Sequence, residues 1–182
     1  MNDDELMVRV AQGDDEAFKC LVQSWEQAVY AFLARMVGSR EDAEDLTQET
    51  FLRVHAQSRR YRPEGRYKSW LFRIAGNLAR SHLRRRRLLR WLRFDPGLHE
   101  RADTEPLVDE VIATRSRHAA VHRALAQLPD RQRQAVILSR FENMSYAEVA
   151  VAMNTTESAV DALLQRAVAN LRRVMAPESE ST

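Results

Sequence analysis

From Asp4 to Val37 apolar residues return every three or four positions, with Gly13-Asp14 dividing two helical segments. Phe18, Leu21, Val22, Trp25, Val29, Phe32, Leu33 and Met36 make one stripe, and Cys20 among them is expected to be a buried small hydrophobe. Ser39, with Asp42 three residues on, predicts the start of a third helix. On a 100° wheel Ala43, Leu46, Thr47, Thr50 and Val54 point inward, while Asp42, Glu44, Asp45, Gln48 and Glu49 point outward. Leu52 projects between Asp45 and Gln48, an apolar side chain within an acidic face. Helix arithmetic leaves two readings open: a stray leucine on a solvated face, or an anchor for a basic partner with an apolar socket.

Between Lys68 and Arg84 the wheel puts Trp70, Leu71, Ile74, Ala75, Leu78 and His82 inward and lines up Arg73, Asn77, Arg80 and Arg84 on another face. A bundle ending near Arg87 is expected. Residues 95–110 then turn to Asp, Pro, Gly, Glu and Thr, a linker composition. Beyond it, Leu128-Pro129 ends a helix and Asp130 is expected to cap the next. Ser145 and Glu148 form a capping box, Asn154 stands where a left-handed residue is needed, and Thr156 caps a last helix. There Val160, Leu164, Ala167, Leu171 and Val174 face inward. Short helix, tight turn, longer helix reads as a helix-turn-helix. The expected fold is all-α, with two small helical domains, an N-terminal helical bundle and a C-terminal helix-turn-helix domain, joined by a flexible linker. Their expected extents are residues 1–90, 91–112 for the linker and 113–176, with a disordered tail over 177–182.

Charge sharpens this picture. The net charge of +2 conceals twelve acids against four bases in residues 1–50, followed by thirteen Arg and one Lys against the single acid Glu64 in residues 51–93. Such segregation suits separate protein and polyanion faces. Arginine fits phosphates and guanine edges and asparagine fits an adenine edge or an unstacked base, so the 73-77-80-84 stripe can hold a backbone and read bases. Tyr61, Arg62, Pro63, Glu64, Gly65, Arg66 and Tyr67 form a turn-rich loop mixing aromatics with cations, the chemistry on which splayed bases stack. Trp70 and Phe72 are better explained as core.

Other functions find less support. The lone Cys20 excludes an intramolecular disulfide, the acidic start has no leader pattern, and no apolar run is long enough to span a bilayer, so a cytoplasmic location is expected. Residues 88–94, LLRWLRF, are basic and amphipathic, but short for a membrane-surface helix. His118 and His122 share a helix face without the glutamate of a zinc-protease motif, so no metal is expected. No nucleophile elbow or phosphate-cradling loop is present, so neither enzyme activity nor a cofactor is expected.

The order D-A-E-D-L-T-Q-E-T-F, then Y-R-P-E-G-R-Y-K-S-W-L-F-R-I-A-G-N, then a basic run, resembles the second conserved region of bacterial extracytoplasmic-function (ECF) sigma factors. L-P-D-R-Q-R-Q-A-V-I-L followed by S-Y-A-E-V-A resembles their fourth region. The resemblance implies an alternative sigma factor, one copy per polymerase, that directs promoter-specific initiation. It implies that Asp42, Asp45, Gln48, Glu49 and Leu52 contact the clamp coiled coil of core RNA polymerase, and that the polymerase flap is a further contact. It implies minus-ten contacts from Tyr61, Arg62, Arg66, Tyr67, Arg73, Asn77, Arg80 and Arg84. Thr156, Ser158, Asp161, Gln165, Arg166 and Arg173 would face the minus-thirty-five element. Where the family often has a basic cluster, this chain reads Asp161, Ala162, Leu163, and Asp161 repels phosphate unless it accepts from a cytosine amine. An anti-sigma factor is a further partner in keeping with the resemblance, and stable membrane insertion is not. Two alternatives remain at this stage: a helix-turn-helix regulator that does not recruit polymerase, which leaves the acidic helix without a role, and a sigma-like interaction protein.

Overall fold

The computed structural model describes residues 2–92 and 112–175, so most of the expected linker and the tail lie outside the described residues. Among the described residues there are eight α-helices, one 3-10 turn and no strand. Helix α1 (Asp3–Ala11) starts with a capping box between Asn2 and Glu5. Gly13, at φ +92°, turns the chain, and Asp14 caps α2 (Asp15–Val37) while holding Arg9 at 2.6 Å. Gly38 ends α2 in the left-handed region and Ser39 caps α3 (Arg40–Gln57). A 3-10 turn over Ser58–Arg60 and an irregular loop lead into α4 (Tyr67–Leu92).

The first unit closes over Met7, Leu21, Phe32, Leu33, Met36, Leu71 and Phe72, all fully buried. Phe72 was not on the inward face of the wheel, yet it meets Phe32 edge-on at 5.2 Å between centroids. Cys20 is exposed, contrary to expectation, because the buried line of α2 runs through Ala17 and Leu21, which lie together on one side of it around the helix. Helix α4 continues beyond Arg87, leaving Leu88, Leu89, Trp91 and Leu92 exposed.

The second unit comprises α5 (Ile112–Ala126), α6 (Asp130–Arg140), α7 (Tyr146–Met153) and α8 (Glu157–Met175). The Ser145–Glu148 capping box, the left-handed Asn154 (φ 50°) and the Thr156 cap, which accepts from the Ala159 amide at 3.2 Å, all form as expected. Ile137, Leu138, Val149, Val160, Leu164 and Ala167 make its core; the side chain of Val174 lies outside the described residues. Asp130 is the exception. It caps nothing, and its carboxylate instead receives both terminal nitrogens of Arg87 at 3.0 and 2.7 Å.

That ion pair belongs to an interface the sequence reading did not anticipate: the two units pack together, α7 and α6 against α4 and α2. Gly76 of α4 lies directly beneath the fully buried Gln134. Arg133, the arginine of the L-P-x-x-x-R motif, is also buried. It donates to the carbonyls of Ala126 and Leu128, at 2.9 and 3.2 Å, and across the interface to that of Met36. Lys68 donates to the Glu142 carbonyl, and Arg35 stacks on Phe141 at 4.6 Å. Burial pushes the Glu142 carboxyl up, against the opposing pull of Arg35 and Lys68.

Substitutions at two positions probe this interface. A Cβ on Gly76 meets only the end of the flexible Gln134 side chain, so Gly76→Ala should be accommodated while Gly76→Leu should wedge the units apart. Small-angle X-ray scattering is expected to show a larger radius for the leucine variant with unchanged far-ultraviolet circular dichroism. Arg133→Ala removes the donor to three carbonyls and should lower stability in urea denaturation by about 3 kcal/mol.

Candidate nucleic-acid interface

Helix α3 offers one outward face. Asp45, Gln48 and Glu49 are exposed there, and Leu52 is 70% exposed among them, while Leu46, Thr47, Thr50, Phe51 and Val54 anchor the opposite side. Thr47 and Thr50 satisfy their buried hydroxyls on the carbonyls of Ala43 and Leu46, each at 2.7 Å. Glu49 is bridged by Arg53 at 2.7 Å. Asp42, two turns before Glu49, is partly buried. Its carboxylate turns to α4, where His82 and Arg86 meet one oxygen at 3.2 and 3.1 Å. The basic end of α4 runs beside the first turn of α3 and draws this carboxylate to itself.

The second face joins the loop after the 3-10 turn to α4. Arg62 and Arg66 are exposed, Tyr61 is half-buried, and Tyr67 is buried at 3% exposure. Tyr67 is therefore core in this structure and offers no stacking surface, contrary to expectation. As the first residue of α4 it packs edge-on to Trp25, with Tyr61 on its other side. Burial, with the nearby charge of Asp3, pushes the Tyr67 phenol up. Tyr61 packs against Trp70 at 4.8 Å. Together with Arg60, Arg62, Glu64, Arg66, Arg73 and Val151 of α7, these two aromatics line a cleft of about 240 Å³.

Along α4, Asn77 and Arg84 are exposed while Arg73 and Arg80 are half-buried, Arg73 on a cleft shared with Val151 of α7 and Arg80 within the field of Asp130 and Arg131 of α6. Arg80 donates to the Asn77 amide oxygen, so the two residues act as a pair. Burial, with the neighbouring charge of Arg131, lowers the Arg80 pKa, as expected of a cation lacking enough counter-charge. Sequence reasoning missed the residue that ties down this loop. Asp4 accepts from the Tyr61 hydroxyl with one oxygen and from the Gly65 amide with the other at 2.5 Å. No local pattern announces a contact across 57 and 61 positions of chain.

The third face lies on α8. Thr156, Ser158, Gln165, Arg166 and Arg173 are exposed and Asp161 is partly so. Asp161 accepts from Gln165 at 2.8 Å, which places its charge beside an amide rather than alone in the face. Arg173 reaches Asn170 at 3.5 Å. The Thr156 hydroxyl is committed to its cap. Among the described residues no group of three or more His, Cys, Asp or Glu is placed to hold a metal, and no helix is long and apolar enough to cross a membrane. The His118 side chain lies outside the described residues.

Comparison with known proteins bears on all three faces. Sigma-70 region 2 matches residues 21–89 and Sigma-70 region 4 matches residues 118–171. The ECF RNA polymerase sigma factor SigE of Mycolicibacterium smegmatis is 35% identical over 176 residues, spanning 94% of this chain and 68% of that protein. The ECF RNA polymerase sigma-E factor of Haemophilus influenzae is 31% identical, spanning 92% of each chain. Among solved structures, CnrH in complex with the cytosolic domain of CnrY is similar at a TM-score of 0.72 and 26% identity, over 97% of this chain and 99% of that one. With both regions present in their chain order and relatives matched over most of their length, the protein belongs to the extracytoplasmic-function sigma factors of bacterial RNA polymerase.

Proposed function

We propose that this sigma factor divides its work among the three faces, with residues 1–90 as the unit for core polymerase and the minus-ten element and residues 113–176 as the unit for the minus-thirty-five element. As a sigma factor it binds core RNA polymerase and directs promoter-specific initiation, without a reaction of its own. The observation that carries the division is the 70% exposed Leu52, held rigidly among Asp45, Gln48 and Glu49 on the side of α3 away from its core. An apolar anchor ringed by charge is the composition of an interface hot spot, and a basic, partly apolar polymerase surface such as the clamp coiled coil complements it. Asp42, committed to His82 and Arg86, is left out of this contact.

Opposite in chemistry, Arg62, Arg66, Arg73, Asn77, Arg80 and Arg84 serve minus-ten DNA, with Tyr61 as the aromatic wall of the cleft in place of Tyr67. The half-covered state of Arg73 and Arg80 means that full use of this stripe requires α6 and α7 to leave α4. On α8, Ser158, Asp161, Gln165, Arg166 and Arg173 serve the major groove, the Asp161–Gln165 pair offering an acceptor to a cytosine amine. Work with RNA polymerase places the protein in the cytoplasm, and an anti-sigma factor that holds the two units together is a partner compatible with the closed arrangement.

The overall test is transcription from a genomic fragment library by core polymerase with and without the protein: new, defined start sites are expected, and their absence refutes the reading. Leu52→Ala combined with Glu49→Lys should weaken core binding by roughly 30-fold or more, with unchanged thermal melting because both side chains are outside the core. Co-purification with core at wild-type yield would remove the contact assignment. At the minus-ten element, Asn77→Ala is expected to shift discrimination by about 1–3 kcal/mol at one base. Because Arg80 holds the Asn77 amide, the effects of Asn77→Ala and Arg80→Ala should be non-additive. Run-off transcription from a library varied at each minus-ten base measures both, and a uniform loss with unaltered base preference would make Asn77 merely structural.

A further inference from the structure

The loop between the 3-10 turn and α4 has little to hold it in shape by itself. Its residues Arg62 to Arg66 are exposed, Gly65 sits at φ +71°, and within it the Glu64 amide donates to the Arg62 carbonyl at 2.9 Å. Exposed segments with so few internal bonds are ordinarily the mobile parts of a domain. Here an acid from the far end of the domain intervenes. Asp4 receives the Tyr61 hydroxyl on Oδ1 and the Gly65 amide on Oδ2, so one carboxylate brackets both ends of the loop. Both bonds are charge-assisted.

Helix α1 is built to hold that carboxylate still. Its N-terminus is locked by the Asn2–Glu5 capping box, its C-terminal Arg9 is tied to Asp14, and Leu6, Met7 and Val10 are buried in the first core. The helix also packs against the 3-10 turn from which the loop departs. Tyr61, fixed through its hydroxyl, keeps its ring edge-on to Trp70 and forms the wall of the cleft opposite Arg73. Burial first, and the Asp4 bond second, push the Tyr61 phenol up, so the hydroxyl remains a donor.

We propose that Asp4 is a positioning residue for promoter opening: it pre-forms the Tyr61–Gly65 loop so that the cleft is ready to receive an unstacked base. The proposal rests on the assignment of this loop to the minus-ten element. Pre-forming the loop spares the complex the cost of ordering it when DNA arrives. A carboxylate accepts from both partners with charge assistance; an asparagine can keep both contacts only by accepting from the Gly65 amide and donating its own N–H to the Tyr61 oxygen, a neutral and weaker bracket. The bland alternative is that Asp4 merely adds negative charge to the first turn of α1, where Asp3 and Glu5 also stand. Asp3 is therefore the matched control.

The experiment uses the full-length chain and core polymerase, with Asp4→Asn, Asp4→Ala, Asp4→Glu, Asp3→Asn, Tyr61→Phe and the double variant Asp4→Ala/Tyr61→Phe. Three quantities are read: trypsin cleavage after Arg66 in the protein alone, affinity for core polymerase, and promoter opening by permanganate reactivity of minus-ten thymines. Asp4→Asn and Asp4→Ala should raise loop cleavage and lower promoter opening, each by about tenfold, with core affinity unchanged. Asp4→Glu should partly restore opening, Asp3→Asn should resemble the wild type, and Tyr61→Phe should cost much less when Asp4 is already alanine. Unaltered cleavage in the Asp4 variants overturns the proposal while leaving the loop's assignment standing. Raised cleavage with unaltered opening overturns the assignment of the loop to the minus-ten element, and the proposal with it. An equal fall for Asp3→Asn, or a matching loss of core affinity, also overturns it, since either makes Asp4 a general stabiliser of α1.

Discussion

Burial of α4 from two opposite sides is the constraint on which the rest of the molecule depends. Leu71, Ile74, Ala75 and Leu78 take one side into the first core, and Ser69, Gly76 and Ala79 are buried as well. Helices carrying small residues approach one another closely, and Gly76 lets α6 come near enough for Gln134 to lie directly over the α4 backbone. The edges left between the two contacts carry Arg73, Asn77, Arg80 and Arg84, so one helix is a core element, an inter-domain surface and a charged edge together.

The polar groups in that contact set its character. The two terminal nitrogens of Arg133 bind carbonyls of its own unit and the Met36 carbonyl at the end of α2, while its Nε is buried without a partner. Both polar atoms of the Gln134 side chain are buried without a partner. A buried amide left in this state is costly, about 1–3 kcal/mol, and water supplies its missing bonds once the units part. The rim is closed by an Arg87–Asp130 pair whose arginine is 54% exposed, an arrangement that contributes little and is weakened by salt. Such an interface holds the two units together through contacts that water and salt weaken.

Charge segregation acts on a finer scale than the two units. Acids collect on α1 and α3 and bases from Arg53 to Arg90, and acids from distant parts of the chain fix the basic segment at three points: Asp42 of α3 meets His82 and Arg86, Asp4 of α1 accepts from the Tyr61 hydroxyl and the Gly65 amide, and Asp130 of α6 pairs with Arg87. What stays outward keeps the segregation of the sequence, with Asp45 and Glu49 around Leu52 on α3 and Arg62, Arg66 and Arg84 near the loop and along α4, each set carrying one exposed charge of the other sign, Arg53 and Glu64.

Much of this was legible in the residues alone. Ser145 with Glu148, Asn154, Thr156 and Gly13-Asp14 act within one turn of chain, so local backbone chemistry determines the helix boundaries they mark. The exposure of Leu52 and the inward lines of α3 and α8 follow from helical period, which depends only on spacing. The family motifs, too, are contiguous stretches. Tertiary structure decided what spacing cannot encode. A second unit packed on α4 buried Gly76 beneath Gln134, since a wheel assumes one buried face per helix. Tyr67 became core and Cys20 became surface because a neighbouring position filled the available space. Asp4, Asp42 and Asp130 found partners 40 to 61 residues away, and a carboxylate chooses among distant donors only after packing has brought them within hydrogen-bond reach.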